Sequence, residues 1–338
     1  MTDIIDFLTA NSATEVRAQR PQARDNAQYS FEALFESDNA LPESFAVAAR
    51  IAKLHGVAED FYADLAADET VDDEARLQAA FEFTDLLVAR PADAQPADVE
   101  KLGRHFDATE TVTLAQTIAC VAFQLRVIHG LNVVAGTADA VEAERIGPAH
   151  TARKRFSTET LGWRPWVTPL KKSELTDVHR DALIKPEREN MPYFRLLVRN
   201  PEALKARTLT DLDIFYNTNG GLSRAEREIS ATLASRFNAC PYCASVHQRR
   251  AKEEGADPKL LDELIAHGVD IDFGSSRLNT MRDAAIALTR TPVEFGAYHV
   301  EALRGEDFGD LELLDFISAV AFFNWANRLM LSLGEATY

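Results

Sequence analysis

Apolar residues recur along most of this chain at i, i+3, i+4 and i+7, the spacing that gathers them on one face of a helix. Glu74 to Val88 and Leu278 to Leu288 show it, as do Val112 to Val127 and Leu311 to Leu331. No stretch sustains the period-two alternation of a half-buried strand. The pattern therefore predicts an all-α fold. Pro91 and Pro292 begin or end helices. Ser223-x-x-Glu226 reads as a capping box that opens the helix carrying Glu228. The most apolar long segment, Leu313 to Leu331, holds Asp315, Asn324, Asn327 and Arg328. A membrane-spanning helix is about 20 mostly apolar residues with few charges, so this segment reads as a buried core helix.

The helical pattern occurs twice. Arg76-Leu77 recurs as Arg277-Leu278, and Val99-Glu100-x-Leu102 as Val300-Glu301-x-Leu303, at an offset of 201. Val121-Ala122-Phe123 recurs as Val320-Ala321-Phe322, and Gly56 and Leu65 as Gly255 and Leu264, at an offset of 199. Small changes of offset are what loop insertions produce. The chain is expected to divide into a helical domain over residues 1–140, a connector over 141–189 and a second helical domain over 190–338. Gly147, Pro148, Gly162, Pro165 and Pro169 punctuate the connector. Its basic run, Arg153-Lys154-Arg155, reads as a solvated loop, and Trp163 and Trp166 are expected to pack the connector onto a domain.

Composition narrows the picture. The 338 residues are 46% hydrophobic and carry a formal net charge of -17. That charge disfavours nucleic acid and anionic membranes as partners, since both require clustered Lys and Arg. There are three cysteines, Cys120, Cys240 and Cys243. One CxxC plus a lone cysteine suits a reducing compartment in which the pair is reactive. The N-terminal stretch lacks the basic and apolar regions of a signal peptide, and a cytoplasmic location is expected.

The chemistry concentrates in Glu228-x11-Cys240-Pro241-Tyr242-Cys243-x3-His247. On a helix Cys240, Cys243 and His247 share one face. Pro241 suits a first helical turn, which would set the thiols at a helix N-terminus, where the dipole favours the thiolate. A free thiol has a pKa of about 8.5 and must be deprotonated to attack a peroxide or a disulfide. His247 can take that proton, and Glu228 can orient His247. The second thiol can close a Cys240–Cys243 disulfide before over-oxidation. Other readings stand beside this one. A zinc site would use His247 as a third ligand but lacks a second CxxC. Two structural thiols are a further alternative. Tyr242 suits a pocket wall or a proton-relay hydroxyl, and packing alone equally well. Cys120 lies in an apolar run and reads as a small core residue.

Glu-x11-Cys-x-x-Cys-x3-His on a helical repeat resembles the AhpD-like, carboxymuconolactone decarboxylase-type superfamily of alkylhydroperoxidases. The resemblance runs from about Asn190 to Gly334 and extends to the runs Pro192 to Leu197 and Gly220 to Glu228. It implies a homo-oligomeric helical bundle that needs no haem, flavin or metal. It further implies reduction of hydroperoxides through the CxxC, with re-reduction by a dithiol or a redox protein. Carried over, the catalytic positions are Cys240, Cys243, His247, Glu228 and Tyr242. Nearness to His247 favours Cys243 as the peroxidatic thiol and Cys240 as the resolving one, with the reverse assignment as the alternative. At an offset of 199 these thiols, His247 and Glu228 fall on Leu41, Ser44, Ala48 and Tyr29. The first repeat therefore looks like a copy without redox groups, filling a subunit position in a pseudo-oligomer. The function expected is a thiol-dependent hydroperoxide reductase in antioxidant defence. The alternatives are a thiol–disulfide reductase or redox sensor acting on a protein, and a decarboxylase- or isomerase-like enzyme acting on a small lactone.

Overall fold

The computed structural model describes residues 3–68, 71–144 and 154–338. Among them are seventeen α-helices and one two-stranded ribbon, so the fold is all-α. Two long helices, Ala108–Val134 and Asp310–Ser332, lie against each other at the centre. Gly130 permits the close approach: a Cβ there would stand 2.9 Å from Ile317 Cγ2. Ala108–Val134 is long and apolar enough to cross a membrane, but 89% of its apolar window is buried against the rest of the fold. It is a core helix, like the Leu313–Leu331 segment facing it.

The polar groups of these two helices explain how the halves hold together. Arg126 is fully buried and donates to the carbonyls of Leu288 at 3.0 Å and Thr289 at 2.8 Å. Those carbonyls close the helix Ser276–Thr289 of the other half. Arg328 does the reciprocal work, donating to the Val88 carbonyl at 3.2 Å near the end of the helix Glu74–Ala89. A cation at a helix C-terminus satisfies orphan carbonyls and meets the negative end of the dipole. Trp325 Nε1 also crosses the interface, donating to Gln116 Oε1 at 3.0 Å. The halves expected as 1–140 and 190–338 thus share one continuous core.

The structure corrects the register between the halves. The helix Ser44–His55 packs along Glu59–Ala67 and against Ala108–Val134. In the second half Arg224–Phe237 packs in the same way along Pro241–Glu253 and against Asp310–Ser332. Each pair is joined by a short link closed by the same bond. Val57 N–H donates to Ala52 O at 3.2 Å, and Cys240 N–H donates to Ser235 O at 2.9 Å. The counterpart of the CxxC helix is therefore Glu59–Ala67, and Leu41, Ser44, Ala48 and Tyr29 are not the equivalent positions. In the second half the helix Pro258–His267 stands between the CxxC helix and Ser276–Thr289, whereas Glu59–Ala67 is followed directly by Glu74–Ala89, so a constant offset misleads. Glu59–Ala67 contains no Cys and no His.

Gly147, Pro148 and Arg153 of the connector lie outside the described residues. Its described part includes a strand, Gly162–Pro165, antiparallel to Gly334–Thr337, with Gly162 opposite Thr337 and Pro165 opposite Gly334. Four residues are too few to register as an alternating pattern, so periodicity could not find it. Trp163 and Trp166 pack on the core, and Trp163 Nε1 donates to Met330 O at 3.0 Å.

Candidate active site

The link between the two site helices sets the geometry. Ser223 and Glu226 form the capping box that opens Arg224–Phe237. The loop before it is pinned by Asp315, which pairs with Arg20 at 2.8 Å and accepts the Leu222 N–H at 3.0 Å. Gly221 has φ +75°, and a Cβ there would lie 2.1 Å from Asp315 Oδ2, so glycine is required. At the other end Asn238 donates to Asn324 Oδ1 and Asn327 Oδ1, both at 3.1 Å, and Asn327 donates to Ser235 Oγ at 3.0 Å. Ala239 then turns through φ 53° and delivers Cys240 to the N-cap of Pro241–Glu253. Pro241 occupies the first turn, as its missing N–H allows. Cys243 therefore sits in the first turn, near N–H groups that lack helical partners.

The predicted residues come together. Glu228 is 0% exposed. Its Oε2 meets His247 Nδ1 at 2.5 Å, and its Oε1 accepts from Arg224 Nε at 2.8 Å and Nη2 at 2.7 Å. Burial works against the Glu228 charge, but His247 and then Arg224 outweigh it and hold the carboxyl below its ordinary range. An ionised carboxylate only accepts hydrogen bonds, so Nδ1 is the nitrogen that carries a proton toward Glu228. Phe323 stands edge-on to the imidazole at 4.1 Å between centroids, and Phe215 lies at 5.9 Å. His247 follows Cys243 by one helical turn, on the same face.

Both thiols are free and buried, Cys240 at 1% and Cys243 at 5% exposure. Burial pushes the Cys240 thiol well above its ordinary value, and its hydrogen bond to the neighbouring Cys243 pushes it further. Tyr242 is half-buried, and burial raises its hydroxyl, with Cys243 adding to the effect. The three donors Cys240, Cys243 and His247 do not converge as a metal-holding group. Cys120 is buried in the central helix, away from this cluster, with its thiol pushed far up by burial.

Four contributors were not singled out from the sequence. Arg224 stands four residues before Glu228, the spacing of a helical ion pair, and that signal could have found it. Burial raises the Tyr193 phenol, and the two thiols push it further the same way. Phe215 and Phe323 reach the site from distant segments, which no local pattern reveals. The connector covers the outer side: Gln248 Nε2 donates to Thr158 O at 3.0 Å, Arg249 Nη1 donates to Thr160 Oγ1 at 2.6 Å, and Trp163 stacks edge-on against Tyr193 at 5.3 Å.

Paired thiols, an imidazole and a buried carboxylate thus stand on adjoining helices of an all-α chain. Residues 201–287 match the carboxymuconolactone decarboxylase family, and the match contains Glu228, Cys240, Cys243 and His247. The chain carries a domain of that family in its second half. No curated protein matches the chain.

Proposed function

We propose that this protein is a thiol-dependent hydroperoxide reductase. The observation that carries the reading is the Glu228–His247 contact one helical turn from Cys243, with Cys240 beside Cys243 and hydrogen-bonded to it. His247 Nε2 takes the Cys243 proton. The thiolate attacks the distal oxygen of a hydroperoxide and the O–O bond breaks. The departing alkoxide takes the proton from His247 and leaves as the alcohol, and Cys243 becomes a sulfenic acid. Cys240 sulfur then attacks Cys243 sulfur, losing its proton, and hydroxide leaves as water. The Cys240–Cys243 disulfide is reduced by an external dithiol small enough to reach it. Tyr242 would serve as a wall or relay hydroxyl at the thiols.

Burial supports a small oxidant over a protein disulfide. Attack by a protein requires an accessible thiol, whereas these two are 1% and 5% exposed beneath the connector. The deciding experiment counts thiols before and after one equivalent of cumene hydroperoxide. Rapid loss of two thiols as an internal disulfide, with a sulfenic acid trapped on Cys243 in Cys240→Ser, is the expected result. Thiols that ignore peroxide but exchange with a dithiol or a disulfide protein would overturn it in favour of a reductase or sensor. Turnover of a small lactone independent of both cysteines would instead point to proton-transfer chemistry.

A further inference from the structure

Glu228 is a fully buried carboxylate with two oxygens in different company: His247 on one, Arg224 on the other. A buried carboxylate facing only an imidazole has two outcomes. It holds the ring as imidazolium, or it takes a proton itself. The first leaves no neutral imidazole, and the second moves the ring proton to Nε2, the atom that must accept the thiol proton. Arg224 supplies a permanent cation on the oxygen away from the ring. It is the first residue of its helix, lies 3.8 Å over the Tyr216 ring and approaches Glu254 at 3.9 Å, so its position is held from three sides.

We propose that Arg224 is the positioning residue of the relay: by neutralising Glu228 from the far oxygen, it keeps His247 a neutral base near neutral pH. This rests on the reading of the site given above. The other groups around the dyad do not replace it. The helix Pro201–Tyr216 presents Phe215 to the ring, and Asp310–Ser332 presents Phe323. On its own helix His247 has Cys243 and Arg250, and Arg250 acts on Glu228 through space without a hydrogen bond to it. Arg227, on the Glu228 helix, donates to the carbonyls of Ile214 and Asn217. Tyr193 packs against Trp163 and Phe194, and Lys154 of the connector acts on Cys240.

The test follows the imidazole itself. Protein carrying isotope-labelled histidine is titrated by NMR, with the His247 signal assigned by its loss in His247→Asn. Arg224→Gln keeps a donor and removes the charge, and should raise the His247 midpoint by about 1 pH unit, the effect of one charge within a few ångströms. Arg224→Lys keeps the charge and should return the midpoint to near the wild-type value. A purely structural arginine would lower the melting temperature in both variants and leave the midpoint where it was. That result, or a midpoint that falls because Glu228 has taken the proton, overturns the proposal. The titration needs no peroxide: a shifted midpoint in a protein that does not reduce hydroperoxides would sink the proposed function and leave the role of Arg224 standing.

Discussion

The two halves place the same pair of helices around different contents. In the second half Arg224–Phe237 and Pro241–Glu253 enclose Glu228, His247 and the thiols. In the first, Ser44–His55 and Glu59–Ala67 bring together Phe45, Phe61 and Tyr62 with Phe35 from the preceding helix. The Phe35 and Phe45 rings lie 4.9 Å apart, and Phe61 and Tyr62 5.1 Å. The backbone device is shared, down to a left-handed residue in each link, Gly56 at φ 69° and Ala239 at φ 53°. Aromatic filling needs little beyond shape, apart from the Tyr62 hydroxyl, which donates to Gln124. The polar filling needs every charge matched, which is why Glu228 comes with both Arg224 and His247. One scaffold therefore supports either a packed core or a reactive site, and the choice lies in the residues facing across one link.

The largest effect should come from the reactive half alone. Cys243→Ser should reduce peroxide-driven thiol loss to the level of an ordinary free thiol, because no thiolate remains beside His247. Tyr62→Phe, in the aromatic half, should leave that rate within about twofold while costing about 1 kcal/mol of stability for the lost hydrogen bond. Stopped-flow oxidation and denaturant melts of the two variants check both arms. A Tyr62→Phe protein as slow as Cys243→Ser would break the division of labour.

Glu228→Gln should come next. The amide no longer fixes the His247 tautomer or stabilises its protonated form, so the oxidation rate should fall about 100-fold. Arg224 is left without its carboxylate, at a cost of about 3 kcal/mol near neutral pH. The pH dependence has a definite sign. The folded Glu228 carboxyl lies below its ordinary range, so its stabilisation is complete above the unfolded value of about 4.3 and is lost as pH falls through the folded value. Acid melts should therefore show wild type losing more stability than Glu228→Gln below about pH 4. Parallel curves would mean that Glu228 is not charged in the folded protein.

The crossed arginines test whether the halves are thermodynamically one unit. Arg126→Met and Arg328→Met each leave buried carbonyls of the opposite half unsatisfied, and each should cost about 3 kcal/mol. Because the core is continuous, both should lower a single calorimetric transition. Two separated transitions, with only one displaced by each substitution, would mean that the halves fold independently.

The sequence reported local things well and relational things poorly. Helical periodicity, the capping box at Ser223 and the spacing of Cys240, Cys243 and His247 are all properties of short windows, and the structure has a helix, a cap and a shared face there. The helices Glu74–Ala89, Ala108–Val134, Ser276–Thr289 and Asp310–Ser332 follow from the same local signal. Register between the halves depends on the extra helix Pro258–His267, so a constant offset placed the CxxC on Leu41 and Ser44. The aromatic substitute at Phe45 and Tyr62 was invisible for the same reason. Phe215, Phe323 and Tyr193 reach the site through packing of distant segments, and the ribbon at Gly162–Pro165 exists because its partner lies at the opposite end of the chain.

The smallest effect concerns the third thiol. Cys120 lies buried in the central helix of the first half, with its thiol pushed far up by burial, whereas Cys240 and Cys243 adjoin at a helix N-terminus. A thiol that stays protonated and screened should neither react with peroxide nor exchange into the disulfide. Wild-type protein treated with one equivalent of hydroperoxide and then unfolded should show one free thiol, and Cys120→Ala should show none. The substitution removes one buried sulfur and should cost about 1 kcal/mol, with oxidation kinetics unchanged. One free thiol remaining in Cys120→Ala would mean that the disulfide forms elsewhere or that Cys243 over-oxidises, and the contrast between a packed thiol and a reactive pair would fail at its simplest point.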